Sequence, residues 1–303
     1  MNGIININKP AGISSFDVIR QVRKIAQEKK MGHLGTLDPF AEGVLPLFLG
    51  KMTKLIPHLN LSDKTYRATA VFGKKSTTLD RDGVITNVKL PKNIDSQMVE
   101  KALLGFLGTQ DQVPPAYSAV KFKGKPLYKY ARQNKTVTVA AKKITVYRIF
   151  DIKCEMPVVT FSLHCSAGTY IRKIAEDLAE KLGTGAYLNE LVRMGCGEFF
   201  TLGNAIKLDQ IENMDKIRIQ EELINPRDIL SDYHVLQLAK SDIQERVQHG
   251  SGVDVSEDLI EFRHPSRIGG HTLALDQEDQ LIAVGVLEFS QGSFLFKPTK
   301  VLI

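Results

Sequence analysis

Two hydrophobic spacings take turns along the chain. Gly3 to Ile7 is an isoleucine-rich run that predicts a strand, and Lys9-Pro10-Ala11-Gly12 predicts a turn. Phe16, Ile19, Val22, Ile25 and Ala26 then recur at helical spacing, with Ser14 and Asp17 placed as a capping box, until the basic, glycine-bearing stretch Lys29 to Gly32 ends the pattern. Gly32 to Pro39 reads as a loop, Val44 to Leu49 and Thr65 to Phe72 as strands, and Asp80 to Gly83 as a turn.

Met98, Val99, Ala102, Leu103 and Phe106 predict a helix from about Asp95, while Thr136 to Ile152 and Val158 to Cys165 predict antiparallel strands. A helix over about Thr169 to Leu182 carries the stripe Ile171, Ile174, Ala175, Leu178 and Leu182 and stops at Gly183, which puts Arg172 in its first turn beside the stripe. After Phe200 come short amphipathic pieces to about Leu230, a helix at Ser241 to Gln248, and strands near Leu273, at Leu281 to Phe289 and at Ser293 to Ile303. Strands and helices without βαβ alternation imply an α+β fold with a mixed, largely antiparallel sheet and a small β-rich C-terminal domain. The expected division is 1–235 and 236–303.

Composition narrows this picture little. The 303 residues, 43% apolar and 24% charged, describe a folded protein of two ordinary domains. No apolar stretch reaches the ~18 residues a membrane span needs, Pro46 interrupts Gly43 to Gly50, and Met1 to Pro10 lacks a secretory pattern, so a cytoplasmic location is expected. Cys154, Cys165 and Cys196 match no zinc or disulfide spacing and read as reduced, buried thiols.

Charge changes the picture more. Residues 1–200 hold 30 basic and 17 acidic side chains, against 10 and 17 in residues 201–303. From Gln112 to Phe150, Lys121, Lys123, Lys125, Lys129, Arg132, Lys135, Lys142, Lys143 and Arg148 meet no acid and are interleaved with Tyr117, Phe122, Tyr128, Tyr130 and Tyr147. That mixture suits phosphate contacts with rings for base stacking, and equally a solvated basic hairpin with its rings turned inward.

Metalloprotease, phosphate-loop, esterase and dinucleotide motifs are missing, so neither a metal nor a redox cofactor is expected. There remains an acid in a glycine-rich loop, Gly32-His33-Leu34-Gly35-Thr36-Leu37-Asp38-Pro39. By itself Asp38 is a turn former. In company it is more, because this stretch, continued by Gly43-Val44-Leu45-Pro46, resembles the catalytic motif of the TruB family, the tRNA pseudouridine synthases that act on uridine 55 of the T loop. Lys9-Pro10-Ala11-Gly12-Ile13-Ser14-Ser15 resembles that family's opening motif, and Lys64-Thr65-Tyr66 falls where expected. Val113-Pro114-Pro115-Ala116-Tyr117-Ser118-Ala119 with Lys123-Gly124-Lys125 resembles its RNA-clasping insert, here about 112–150. Cys165-Ser166-Ala167-Gly168-Thr169-Tyr170-Ile171-Arg172 resembles its arginine motif. Two positions depart from the pattern: Thr77 stands where an aspartate is common and Ala167 where a lysine or similar polar residue is common.

The resemblance implies a pseudouridine-synthase sheet split by a catalytic cleft and a PUA-like C-terminal domain. It implies an isomerase that extrudes the uridine, breaks the C1′–N1 bond, turns the base and rejoins it through C5, without cofactor. Asp38 would be the nucleophile, attacking C1′ or C6 or assisting glycal formation, with Arg172 against it. Tyr66 would stack on the base and its hydroxyl help remove the C5 proton; Tyr170 and Leu191 would line the pocket, and His33 would fill the vacated stack. Asp80 matches a polar cleft position but is equally a plain turn residue. Lys121, Lys123, Lys125 and Lys129 would hold the T arm and elbow of tRNA. The expected enzyme is a monomer that needs no guide RNA; the competing function is a tRNA-folding chaperone whose isomerase activity is secondary.

Overall fold

A computed structural model describes residues 1–57, 59, 63–238, 242–263, 266, 268–290 and 292–302, the side chain at 290 excepted. The chain opens with β1 (Gly3–Lys9), α1 (Ser15–Ala26), β2 (Met31–His33) and β3 (Glu42–Leu49). Ser14 and Asp17 do form the capping box that starts α1. The helix buries Val18, Ile19, Val22 and Ala26, whereas Phe16 is 56% exposed beneath the Arg20 guanidinium, so the expected stripe is turned by one position. The expected loop from Gly32 is also corrected: Met31 to His33 pair with Leu49 to Leu47, and irregular backbone begins only at Leu34.

Next come β4 (Lys64–Phe72), the hairpin β5 (Lys74–Ser76) and β6 (Ile85–Asn87), α2 (Ser96–Leu104) capped by Asp95, and β7 (Gly108–Gln112). The insert holds the two-residue strands β8 (Lys121–Phe122) and β9 (Lys125–Pro126) and the short α3 (Leu127–Ala131). β10 (Lys142–Glu155) starts six residues later than Thr136, because its partner β7 stops at Gln112 and the Val113-Pro114-Pro115 segment offers no ladder to extend. β11 (Val158–Cys165) is as expected, and α4 (Ile171–Lys181) comes after it.

β12 (Ala186–Cys196) has no counterpart in the sequence-based expectation. Its Leu, Asn, Glu, Arg and Met residues carry no strand preference; it is a strand because the space between β3 and β4 makes it one, parallel to the first and antiparallel to the second. β13 (Phe200–Thr201), β14 (Ile206–Lys207), α5 (Leu208–Glu212), α6 (Lys216–Glu221) and α7 (Pro226–Ile229) lead out of this layer. The large mixed sheet has the order β14-β1-β3-β12-β4-β11-β10-β7, with β2 on β3 and β13 on β12.

The remaining strands, β15 (His234–Gln237), β16 (Val253–Val255), β17 (Ile260–Glu261), β18 (His271–Leu275), β19 (Leu281–Ser290) and β20 (Ser293–Val301), curl into a second sheet beside α8 (Asp242–Gln248). Ser241, the expected start of that helix, and Ile303 lie outside the described residues. Val18, Val22, Val99, Leu103, Ile174 and Leu178 pack with Ile5, Ala68 and Phe161 of the large sheet. Ile4, Val44 and Phe48 instead pack with Leu273, Val284 and Leu302, so one apolar layer joins the two sheets. Both faces of β1 are therefore buried, which explains its unbroken isoleucines. Among the described residues no helix is long and apolar enough to cross a membrane.

Candidate active site

The loop between β2 and β3 projects Asp38 into a cleft of 260 Å³, and buried groups fasten it from several sides. Ser15 Oγ donates to Leu37 O at 3.0 Å and accepts from Leu37 N at 2.8 Å. Gly12 N and Lys9 Nζ both donate to Pro39 O, at 2.8 and 3.2 Å. Lys9 Nζ also donates to Pro10 O and Ile13 O, so all three ammonium hydrogens have carbonyl partners. Burial pushes Lys9 down to about 8, with the Asp38 and Glu42 charges opposing the shift.

Arg172, 3% exposed in the first turn of α4, meets Asp38 with two nitrogens: Nε lies 2.9 Å from Oδ2 and Nη2 donates to Oδ1 at 3.2 Å. One hydrogen bond through Nη2 and a close ion-pair approach through Nε hold the carboxylate, fixing direction as well as charge. The remaining guanidinium hydrogens go to Thr78 O at 2.7 Å and Tyr117 O at 2.9 Å, and Nη1 stands 3.4 Å from Asp80 Oδ2. Asp80 is buried, accepts from Thr78 Oγ1, and its carboxyl is pushed up by burial while Arg172 opposes. Asp80, which the sequence leaves open between a polar cleft position and a plain turn residue, thus stands against the arginine that holds Asp38.

The structure brings Asp38, Tyr66, Tyr170, Arg172 and Leu191 together as cleft lining, beside Lys64, Ser118 and Arg193. Burial pushes the Tyr66 hydroxyl up to about 12, with the neighbouring Arg193 charge pulling the other way. Tyr66 is therefore a neutral phenol in the cleft at pH 7, a ring to stack on and a hydroxyl to hydrogen-bond. Tyr170 is placed by its backbone: Gln112, buried, accepts from Tyr170 N at 2.8 Å and donates to Tyr170 O at 3.1 Å. Register shifts between β12 and β4 on both sides of Leu191 and Arg193 bend the strand where it faces the cleft.

His33 is not brought into the lining; it lies on β2 opposite Leu47, partly buried, and burial holds its imidazole below the usual range. Lys121, Lys123, Lys125 and Lys129 are exposed on the insert, and the root of that insert, Ser118 and Ala119, closes one side of the cleft. Its rings are largely engaged: Tyr130 donates to Phe122 O and meets Phe122 edge-on, and Arg132 covers Tyr128. Lys142, Lys143 and Arg148 sit on β10 instead. Sequence reasoning missed Gln112, Lys64 and Arg193. Lys64 belongs to a recognisable motif that suggests no role for it, and Gln112 and Arg193 carry no local signal. Among the described residues no group of three His, Cys, Asp or Glu side chains could hold a metal ion.

Comparison with known proteins decides the family. The N-terminal domain of TruB family pseudouridylate synthases matches residues 23–171, and the C-terminal domain of tRNA pseudouridylate synthase B matches residues 172–231. The chain belongs to the TruB family. Relatives named tRNA pseudouridine synthase B include that of Geobacter sulfurreducens, 39% identical over 84% of this chain and 87% of the relative. Those of Burkholderia mallei and Clostridium acetobutylicum are 38% and 42% identical, covering 96% and 77% of this chain and 94% and 79% of theirs.

Solved structures extend the likeness at the level of fold. An H/ACA RNP bound to a substrate RNA containing 2′-deoxyuridine contains a chain with TM-score 0.70 and 22% identity, covering 99% of this chain and 85% of that one. A Cbf5-Nop10-Gar1 complex gives 0.69 and 23%, with the same coverage. The mixed α+β TruB fold expected from the motifs is the fold observed. The second family match ends at residue 231, just short of β15, so the curled C-terminal sheet lies beyond it.

Proposed function

We propose that this TruB-family isomerase converts uridine 55 in the T loop of tRNA to pseudouridine, taking the everted nucleotide into the Asp38 cleft. Pseudouridylation of tRNA is the activity that the family and its full-length relatives carry in name. The finer reading rests on one observation, the two-nitrogen contact of buried Arg172 on Asp38 at the mouth of an aromatic-lined cleft.

Asp38 acts as the nucleophile. Its oxygens are held toward the cleft by Arg172, so the carboxylate is oriented before substrate arrives and little reorganisation is needed at the moment of reaction. Attack at C1′ or C6 and assistance to glycal formation all use the same oxygen pair. Tyr66 stacks on the uracil, Tyr170 and Leu191 bound the pocket, and His33, at the end of β2 that leads into the Asp38 loop, fills the vacated stack. The exposed lysines of the insert supply phosphate contacts along the T arm and elbow. The enzyme works as a cytoplasmic monomer with no guide RNA and no cofactor, residues 1–235 doing the chemistry and 236–303 forming a PUA-like domain.

The test is Asp38→Asn. Bound tRNA without pseudouridine at position 55 is the expected result, and product at the wild-type rate ends the nucleophile assignment. A folding chaperone would keep its benefit to tRNA in this variant. Purified protein is expected to modify a lone T-arm hairpin; a requirement for added guide RNA would reverse that part of the reading.

A further inference from the structure

Arg193 is fully buried on β12, with Gly43 of β3 and Tyr66 of β4 as its neighbours across the sheet. Its Nε donates to Val44 O at 2.6 Å and its Nη2 donates to Gly35 O at 3.1 Å. Those two carbonyls stand on either side of Asp38 in the chain, so one planar guanidinium spans the base of the loop that displays it. The backbone geometry of the loop accommodates this side chain. Gly35 has φ +79°, and a Cβ there would stand 3.3 Å from Arg193 Nη1 and 3.2 Å from Lys64 Cε. At Gly43, φ +106°, a Cβ would collide with the Arg193 carbonyl.

A buried cation is a poor way to gain stability, because an apolar side chain of similar size often serves as well. What the guanidinium supplies that an apolar residue cannot is a rigid fork reaching two carbonyls at once. We propose that Arg193 is a positioning residue for pseudouridine formation, tying both ends of the Asp38 loop to the strand that carries Leu191 so that nucleophile and pocket wall keep a fixed spacing. This rests on the reading of Asp38 as the nucleophile. Arg193 does not touch the Asp38 carboxylate; it lines the cleft beside the Tyr66 hydroxyl, and its proposed role is to hold the loop.

The test compares Arg193→Lys, which keeps the charge and loses the fork, with Arg193→Gln, which keeps one donor and loses the charge. Single-turnover rate, KM for tRNA, and thermal melting are measured on each full-length variant. A loop released by even ~1 Å is expected to lower kcat about 100-fold in both variants, with KM and tRNA affinity near wild type and the folded fraction intact. A wild-type kcat in Arg193→Lys overturns the proposal. So does a rise in KM at preserved kcat, a rate loss that only tracks the unfolded fraction, or failure of both variants to fold, since each describes a binding or purely structural residue. Asp38→Asn separates the layers: product from that variant removes the nucleophile reading, whereas an inactive Asp38→Asn beside a fully active Arg193→Lys removes only the role of Arg193.

Discussion

The loop around Asp38 and the basic insert meet at one cleft and are held by opposite means. The loop is fastened through its backbone by Ser15, Lys9 and Arg193, all buried. The insert shares only its root with the cleft, through Tyr117 O and the lining residues Ser118 and Ala119; beyond that its lysines stand in water on two-residue strands and a short helix. On the proposed function, orientation of Asp38 comes from directional bonds made by buried side chains, while attraction for a polyanion comes from charges that remain hydrated and free to adjust. On that reading the two halves of function are separable by mutation.

The largest effect is expected at the contact between them. Arg172→Lys keeps a positive charge but cannot serve Asp38, Thr78 O and Tyr117 O together, and a loss of about 10²–10³ in kcat is predicted, comparable to removing an oriented donor from an oxyanion site. Retention of the wild-type rate would show that charge alone suffices and would dissolve the contrast between oriented and diffuse electrostatics. Next comes the insert. Replacing Lys121, Lys123, Lys125 and Lys129 together by Ala is expected to weaken tRNA binding and reduce the salt slope by about four units if each meets one phosphate. The rate at saturating tRNA should be unchanged; a fall in that rate would mean the insert tip helps shape the cleft.

The same contrast explains what could be read from the sequence. The insert advertises itself, because nine cations without an acid are a property of composition and need no fold to be seen. Asp38, Tyr66, Tyr170 and Arg172 were legible through short motifs, which keep local order even when their members come from a loop, a strand and a helix start. β12 and its Arg193 were not legible, since Leu, Asn, Glu, Arg and Met have no β preference and the strand exists only because β3 and β4 frame it. Gln112 is a polar residue at a strand end whose bond to Tyr170 spans 58 positions. Thr136 to Ala141 alternates like a strand and is not one, because no neighbouring edge is there to pair with.

Gln112 offers a smaller, structural test of how the cleft wall is fixed. Gln112→Ala leaves Tyr170 N without its acceptor, while Tyr170 O keeps Lys173 N and Ile174 N, and a loss of about 1–3 kcal/mol is expected from the one unsatisfied group. Because the Tyr170 ring lines the cleft, KM should rise more than kcat falls. Urea unfolding with steady-state kinetics measures both, and unaltered stability would mean that Tyr170 finds other partners.

The gentlest probe is pH acting on Lys9. Held near 8 by burial against an ordinary value of 10.5, Lys9 in the folded chain gives up its proton before the unfolded chain does. Between those values the unfolded state binds more protons, so the Lys9 contribution makes stability rise with pH, and the cost of burying the ammonium is fully present only below about 8. Lys9→Met abolishes that dependence, and the acids it couples to, Asp17, Asp38 and Glu42, are already ionised in this window. The stability of wild type relative to Lys9→Met is therefore expected to increase across this window, read as the difference in urea midpoints at each pH. A difference that stays level would show that Asp38 and Glu42 keep the ammonium charged, and that this end of the loop is held by electrostatics of the same kind as the insert rather than by a desolvated donor.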